Sequence, residues 1–206
     1  IECYDYEPLK VVKSIDNVYT GSSEITVEDD FIDTFYSGKE VYLPEQESEV
    51  YPNHYFVLKS AKDEQKSALC RFTDYKKPLQ KVFTYKDIWG LSANNKEQKY
   101  AMDLLFDKDI QIISLTGQAG TGKTLIAAAC GLEQVLHTTK SQGGYDRLII
   151  TRPVQPMGRD IGFLPGTLEE KMMPWIAPIR DNLEYLFGDK TALDMQMEQG
   201  IIEIEA

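Results

Sequence analysis

Gly117-Gln118-Ala119-Gly120-Thr121-Gly122-Lys123-Thr124 fits the pattern G-x-x-x-x-G-K-[ST] at every position. The residues on either side supply the matching context. An apolar run, Ile110-Gln111-Ile112-Ile113-Ser114-Leu115, precedes it and reads as a strand over 109–116. Lys123 to Leu136 follows as a helix, with small Ala127-Ala128-Ala129 where a close approach to a sheet is needed. The residue types have a physical reason. Glycines let the main chain turn tightly and aim its N–H groups inward at phosphate oxygens. The helix start adds a partial positive charge. The Lys123 ammonium is placed for β- and γ-phosphates, and the Thr124 hydroxyl for magnesium. Gly117, Gln118, Ala119, Gly120, Thr121, Gly122, Lys123, Thr124 and the adjoining Leu125 are therefore the candidate nucleotide-binding residues. Lys123 and Thr124 are the candidate catalytic ones, and Thr124 the candidate metal ligand. The expected ligands are ATP and Mg2+. The competing reading is a glycine-rich strand-to-helix turn with no ligand; the full motif in its matching context favours the phosphate loop.

Working outward, Asn94 to Phe106 reads as a helix and Arg147-Leu148-Ile149-Ile150-Thr151 as a second apolar strand. Helix, strand, loop, helix, strand is the order of an α/β fold: a P-loop NTPase core with a parallel sheet. Gln98 lies on the helix before the loop, and its amide offers the donor and acceptor that an adenine edge requires. A solvated helix glutamine is the competing reading, and spacing alone leaves both open. Thr151 and Arg152, in Thr151-Arg152-Pro153-Val154, fall at the C-terminal end of their strand, the edge where open α/β sheets bind ligands. Arg152 is poised there for a phosphate of nucleotide or nucleic acid; capping a helix or pairing with a local carboxylate is the alternative. Further on, Ile161-Gly162-Phe163-Leu164-Pro165-Gly166 reads as a turn before a helix, with Thr167 and Glu170 at capping-box spacing.

The 206 residues are 42% apolar and 27% charged, an ordinary globular composition. The net charge of −11 argues against a nucleic-acid footprint over the whole surface and leaves room for a local basic groove. The acid is front-loaded, in Glu24, Glu28, Asp29, Asp30, Asp33, Glu45, Glu47 and Glu49, and reads as a solvated face. No apolar run approaches the length of a membrane span, and the opening Ile1-Glu2-Cys3-Tyr4-Asp5 is unlike a signal peptide. Cys3, Cys70 and Cys130 are far apart and odd in number, so free thiols in a reducing, cytoplasmic setting are expected.

Residues 1–82 read as a small β-rich module, a barrel or sandwich. Its candidate strands are Leu9 to Val12, Asn17 to Thr20, Lys39 to Leu43, His54 to Lys59 and Leu69 to Thr73, with turns at Gly21-Ser22-Ser23, Ser37-Gly38 and Pro52-Asn53. Val27 to Tyr36 reads as a helix. The tyrosines of this region read as packing rather than as a base-stacking platform. A lysine-rich connector near Asp74 to Leu91 leads into the second domain, 83–206.

The loop, Thr151-Arg152-Pro153-Val154 and Gly162-Phe163-Leu164-Pro165-Gly166 with Glu169-Glu170-Lys171 together resemble the PhoH family of P-loop ATPases. The Gln98 region matches the element that precedes the loop in that family. The run Asp160 to Lys171 is the most specific part, and the resemblance covers about residues 90 to 206. It implies an ATPase core like that of superfamily 1 helicases, an ATP-driven motor on single-stranded RNA, with Gln98 on adenine and Thr151 and Arg152 on the nucleic-acid backbone. The β-rich region resembles the spacer that joins a PIN nuclease domain to a PhoH domain in a larger fusion. By that likeness a PIN domain precedes Ile1, and a strand carrying the Walker B acids follows the strand-like ending Ile201 to Ala206. A homo-oligomer is expected, a ring among the options, because rings are common among ATPases with this loop. Two other functions compete: a non-motor, ATP-dependent assembly switch, and a kinase of small metabolites.

Overall fold

His54-Tyr55-Phe56-Val57-Leu58-Lys59-Ser60 is buried at every position but Lys59, the signature of a strand covered on both faces. The computed structural model describes residues 19–44, 49–63, 65–139, 144–152 and 168–205, with side chains of the last stretch from 176 onward. The chain divides into two compact units, Ile1–Val82 and Phe83–Ala206.

In the first unit the strand His54–Ser60 (β2) lies second in a four-stranded sheet. Ser22–Val27 (β1) runs parallel to it on one side, and Ser67–Phe72 (β3) antiparallel on the other. The two-residue strand Gln80–Lys81 (β4) closes the far edge of β3. The helix Asp29–Tyr36 (α1) joins β1 to β2 as a short crossover and covers one face. Its Ile32 and Phe35 pack into a core with Phe56, Leu58, Cys70 and Phe72. Burying each of the large apolar side chains contributes roughly 1.5–3 kcal/mol.

Among the described residues this differs from a barrel or sandwich: one mixed sheet has a helix on one face. The strand Ser22–Val27 starts on Ser22 and Ser23, residues read as part of a turn, because pairing with β2 outweighs their local turn signal. Lys39 to Leu43 forms no strand; Val41 and Leu43 are buried by packing, and the Val41 carbonyl accepts from the Leu79 N–H at 2.7 Å. Thr73 lies outside β3, and Tyr19 and Thr20 belong to no strand. Leu9 to Val12 lies outside the described residues. The described front-loaded acids face solvent, with Asp29 half-buried, and several are paired; Glu45 and Glu47 lie outside the described residues. Lys59 meets Glu24 at 2.6 Å, Lys66 meets Asp33 at 2.8 Å, and Ser60 hydrogen-bonds Asp29. Exposed pairs of this kind stabilise by only about 0–1 kcal/mol each.

In the second unit Lys96–Leu105 (α2) is capped by Asn95, whose side chain accepts from the Gln98 N–H. Lys123–Leu132 (α3) continues into a five-residue π-helical turn, Glu133–His137. Buried Gln134 in that turn donates to the Leu105 and Cys130 carbonyls, both at 3.0 Å, fixing the end of α2 against α3. Leu148–Thr151 (β5) pairs in parallel with Ile202–Glu205 (β6). Between them in sequence come Leu168–Phe187 (α4) and Lys190–Glu198 (α5), the latter capped by Asp189. Ala128, Ala129 and Leu132 of α3 share a core with Leu183, Leu193 and Ile202. Gly131 fits this packing closely: a Cβ there would stand 2.9 Å from Leu148 Cδ1 and move that side-chain end. Met102, Ile126 and Cys130 form a second, smaller core between α2 and α3. Burial pushes the Cys70 and Cys130 thiols up to about 12, so both stay protonated and inert.

The strand expected over 109–116 is absent as such: residues 110–118 carry no regular structure, and Ile112 is 90% exposed. An apolar run becomes a strand only when neighbours take up its hydrogen bonds, and no described segment pairs with it. The parallel order survives in β5 and β6. Among the described residues no helix is long and apolar enough to cross a membrane.

His54 gives the first unit a pH dependence. Its ring bridges Tyr19 Oη at 2.7 Å and Ser23 Oγ at 2.9 Å, and burial holds its pKa below the ordinary 6.5. A histidine whose folded pKa is depressed contributes stability that is present above the unfolded value and lost as pH falls through the folded one. The melting temperature of this unit should therefore fall as pH drops from about 7.5 through 6, where the ordinary histidine begins to take up its proton. His54→Gln should flatten that part of the profile in a thermal-unfolding series.

Candidate nucleotide-binding site

Helix α3 begins at Lys123, and the residue before it, Gly122, has φ 85°. Gly120 at φ 81° and Gly117 at φ 150° complete a loop whose turns need the left-handed region. A side chain at such a position costs about 1–2 kcal/mol. The first turn of a helix has N–H groups with no carbonyl of its own to reach. In α3 that turn is Lys123, Thr124 and Leu125, with Thr124 exposed to solvent.

Lys123 folds back over the loop. Its Nζ donates to the Gly117 carbonyl at 2.9 Å, the Gln118 carbonyl at 2.6 Å and Thr121 Oγ1 at 3.3 Å. Thr121 Oγ1 itself donates to the Gln118 carbonyl at 2.9 Å. The ammonium is thus held at the mouth of the loop by oxygens that phosphate oxygens can replace.

Gln98 reaches the same loop from α2. Its Nε2 donates to the Thr121 carbonyl at 3.2 Å, and its Oε1 accepts from the Asn94 N–H at 2.8 Å. Between α2 and the loop lies a cavity of about 450 Å³. That is within the ~300–1,000 Å³ usual for small-molecule sites. Leu91, Met102, Leu125 and Ile126 supply apolar walls. Ser92, Asn94, Asn95 and Gln98 supply polar atoms, and Gly120, Thr121 and Gly122 form the loop side. Apolar walls suit the faces of a flat heterocycle, and the polar atoms suit its edge.

The segment that carries Leu91 and Ser92 is held in a strained turn. Asp87 and Trp89 have φ 57° and 52°, and Ile88 and Leu91 exchange main-chain hydrogen bonds, each of 2.9 Å. The Trp89 ring stacks on His137 at 5.0 Å and meets Phe187 at 4.9 Å. This anchoring was not legible in the sequence: only the positive φ of a tryptophan reveals that the turn is fixed from outside. The cavity walls Leu91, Ser92, Asn94 and Met102 were equally hidden, since each belongs to a common residue type.

The structure therefore brings Gln98 together with the loop. It does not bring Thr151 and Arg152 to the cavity, whose lining includes neither. Thr151 ends β5 opposite Glu205, and the Arg152 N–H donates to the Glu205 carbonyl at 3.1 Å, so both stand at the C-terminal edge of the parallel pair. Pro153-Val154 and the turn from Ile161 to Thr167 lie outside the described residues. The α4 helix begins at Leu168, where a helix was expected, and runs on to Phe187 through Pro174 and Pro178.

A loop of left-handed glycines at a helix start, a lysine above it and a half-apolar cavity beside it suit a nucleoside triphosphate: the N–H groups and ammonium for phosphates, the cavity for a base. Comparison with known proteins agrees. The family model described as PhoH-like protein matches residues 90–206. The chain is 37% identical over 177 residues to Protein PhoH2 of Bacillus subtilis, covering 85% of this chain and 39% of that protein. It is 34% identical over 187 residues to Protein PhoH2 of Mycolicibacterium smegmatis, covering 90% and 40%. With Protein PhoH of Escherichia coli K12 it shares 39% identity over 103 residues, covering 50% and 27%. The chain thus spans at most about two fifths of the length of these relatives. No solved structure matches it.

The loop conformation has a measurable cost for substitution. Gly122→Ala should lower unfolding stability by about 1–2 kcal/mol, because alanine enters the left-handed region poorly. Gly122→Asn should lose less, since asparagine tolerates it better. Urea unfolding midpoints of the two variants beside wild type give the comparison, and equal losses would show that something other than φ governs the position.

Proposed function

From the premise that this chain belongs to the PhoH-like protein family, whose members are ATP-binding proteins of the P-loop class, we propose that it is part of an RNA-dependent ATPase motor. The observation that carries the nucleotide part of this reading is the loop itself: Lys123 Nζ over the Gly117 and Gln118 carbonyls at a glycine-shaped helix start. Lys123 would hold the β- and γ-phosphates, the N–H groups of the loop would cradle them, and the exposed Thr124 hydroxyl would ligate Mg2+. The bound ion supplies neutralisation of the charge that develops on the transferred phosphoryl group. What the chain itself contributes is positioning and fixed electrostatics. Gln98 and the cavity beside the loop would take the adenine.

Support for an RNA track is more local. Thr151 and Arg152 stand at the C-terminal edge of β5, where ligands of parallel sheets bind. Coupling to a PIN ribonuclease, assembly into a homo-oligomer and a cytoplasmic setting remain parts of the same proposal, drawn from the resemblance of the motifs. The second reading, an assembly switch, rests on the same loop and differs in needing no turnover.

ATP hydrolysis by the intact protein, with and without single-stranded RNA, separates these. RNA should raise turnover at least severalfold, and Lys123→Ala should abolish that response. Tight ATP binding with turnover indifferent to RNA would sink the motor reading and leave the switch or a kinase of small metabolites. Arg152→Ala should weaken RNA affinity without changing ATP affinity; an unchanged RNA affinity would remove Arg152 from the track.

A further inference from the structure

Gln98 is engaged at both ends of its amide, and its two neighbours settle which end is which. The Asn94 N–H needs an acceptor and the Thr121 carbonyl needs a donor, so Oε1 faces the first and Nε2 the second. A helix-start cap accounts for half of this. Asn95 accepts from the Gln98 N–H at 2.8 Å, and Gln98 Oε1 answers by accepting from Asn94. A cap has no use for Nε2, yet Nε2 reaches across to a residue 23 positions further along the chain.

The Thr121 carbonyl shares its peptide unit with the Gly122 N–H. No described peptide bond is cis, and in a trans unit the C=O and N–H point opposite ways. Pinning the carbonyl toward Gln98 therefore turns the Gly122 N–H away from α2. Gly122 is the left-handed residue on which α3 starts. The side chain of Thr121 meanwhile touches Lys123 Nζ and the Gln118 carbonyl. One residue thus carries a Gln98 contact on its main chain and the lysine contact on its side chain.

We propose that Gln98 is a positioning residue for the phosphate loop: through the Thr121 carbonyl it sets the Gly122 N–H for a polyphosphate, and so couples the base side of the cavity to the phosphate side. This goes beyond recognition of a base and rests on the nucleotide-binding reading above. Its consequence is specific. The contribution of Gln98 extends to a ligand that has phosphates and no base.

The test uses inorganic tripolyphosphate, adenosine and ATP as separate probes, titrated calorimetrically into the wild-type chain and Gln98→Met, which keeps length and loses both hydrogen bonds. Wild-type protein that binds neither ATP nor tripolyphosphate overturns the nucleotide reading, and the inference with it, before any variant is made. With binding established, Gln98→Met should bind tripolyphosphate about five- to tenfold more weakly, the size expected for one hydrogen bond. Tripolyphosphate affinity unchanged while adenosine and ATP weaken would overturn the proposal and make Gln98 a reader of the base alone. Thermal melting of the variant shows whether it folds. Should it not fold, the wild type decides: coupled sites require saturating adenosine to change tripolyphosphate affinity at least twofold, and independent affinities overturn the coupling.

Discussion

A polyphosphate has to be held here by a chain whose own net charge is −11. The start of α3 is where that constraint is met, and much of the second unit serves to fix it. Main-chain N–H groups do not titrate and are not displaced by salt, but they act only if the helix start is rigid and the loop before it turns back sharply. Ala128, Ala129, Cys130 and Leu132 bury α3 along most of its circumference. Gly131 lets it lie close to β5, and Gln134 ties its end to α2. The strained Trp89 turn then carries the cavity wall at Leu91 and Ser92.

The parts legible in the sequence are those governed by local chemistry. A glycine pattern before a lysine encodes its own turn, so the loop and the start of α3 could be read directly. The apolar runs at Leu148 and Ile202 are signals of the same kind. What failed was decided by distant partners. Residues 109–116 have the composition of a buried strand, and no described strand pairs with them. Ser22 and Ser23 have the opposite history: turn-like residues open a strand because β2 lies alongside. Pro174 and Pro178 would ordinarily end a helix, yet α4 runs past both. In the site, Gln98 was visible as a candidate, but the direction of its second hydrogen bond was not, because it depends on the fold of the loop 23 residues away.

The first unit shows how acid is accommodated at a surface. Glu24, Asp29 and Asp33 are each within reach of a lysine or serine around β1 and α1. Such contacts set the surface rather than the stability, and the core beneath them, from Ile32 to Phe72, holds the unit together. The negative charge of the chain is therefore no obstacle to a local anion site elsewhere in it.

Lys123 begins with its hydrogen-bonding capacity already filled by Gly117, Gln118 and Thr121. Taking hold of a phosphate is thus a substitution, one set of oxygens for another, while the freed carbonyls return to water. The heat released by the lysine is therefore reduced by the three bonds it gives up. A calorimetric trace of modest enthalpy would then be the thermal mark of a loop that is prepared in advance rather than built around its ligand.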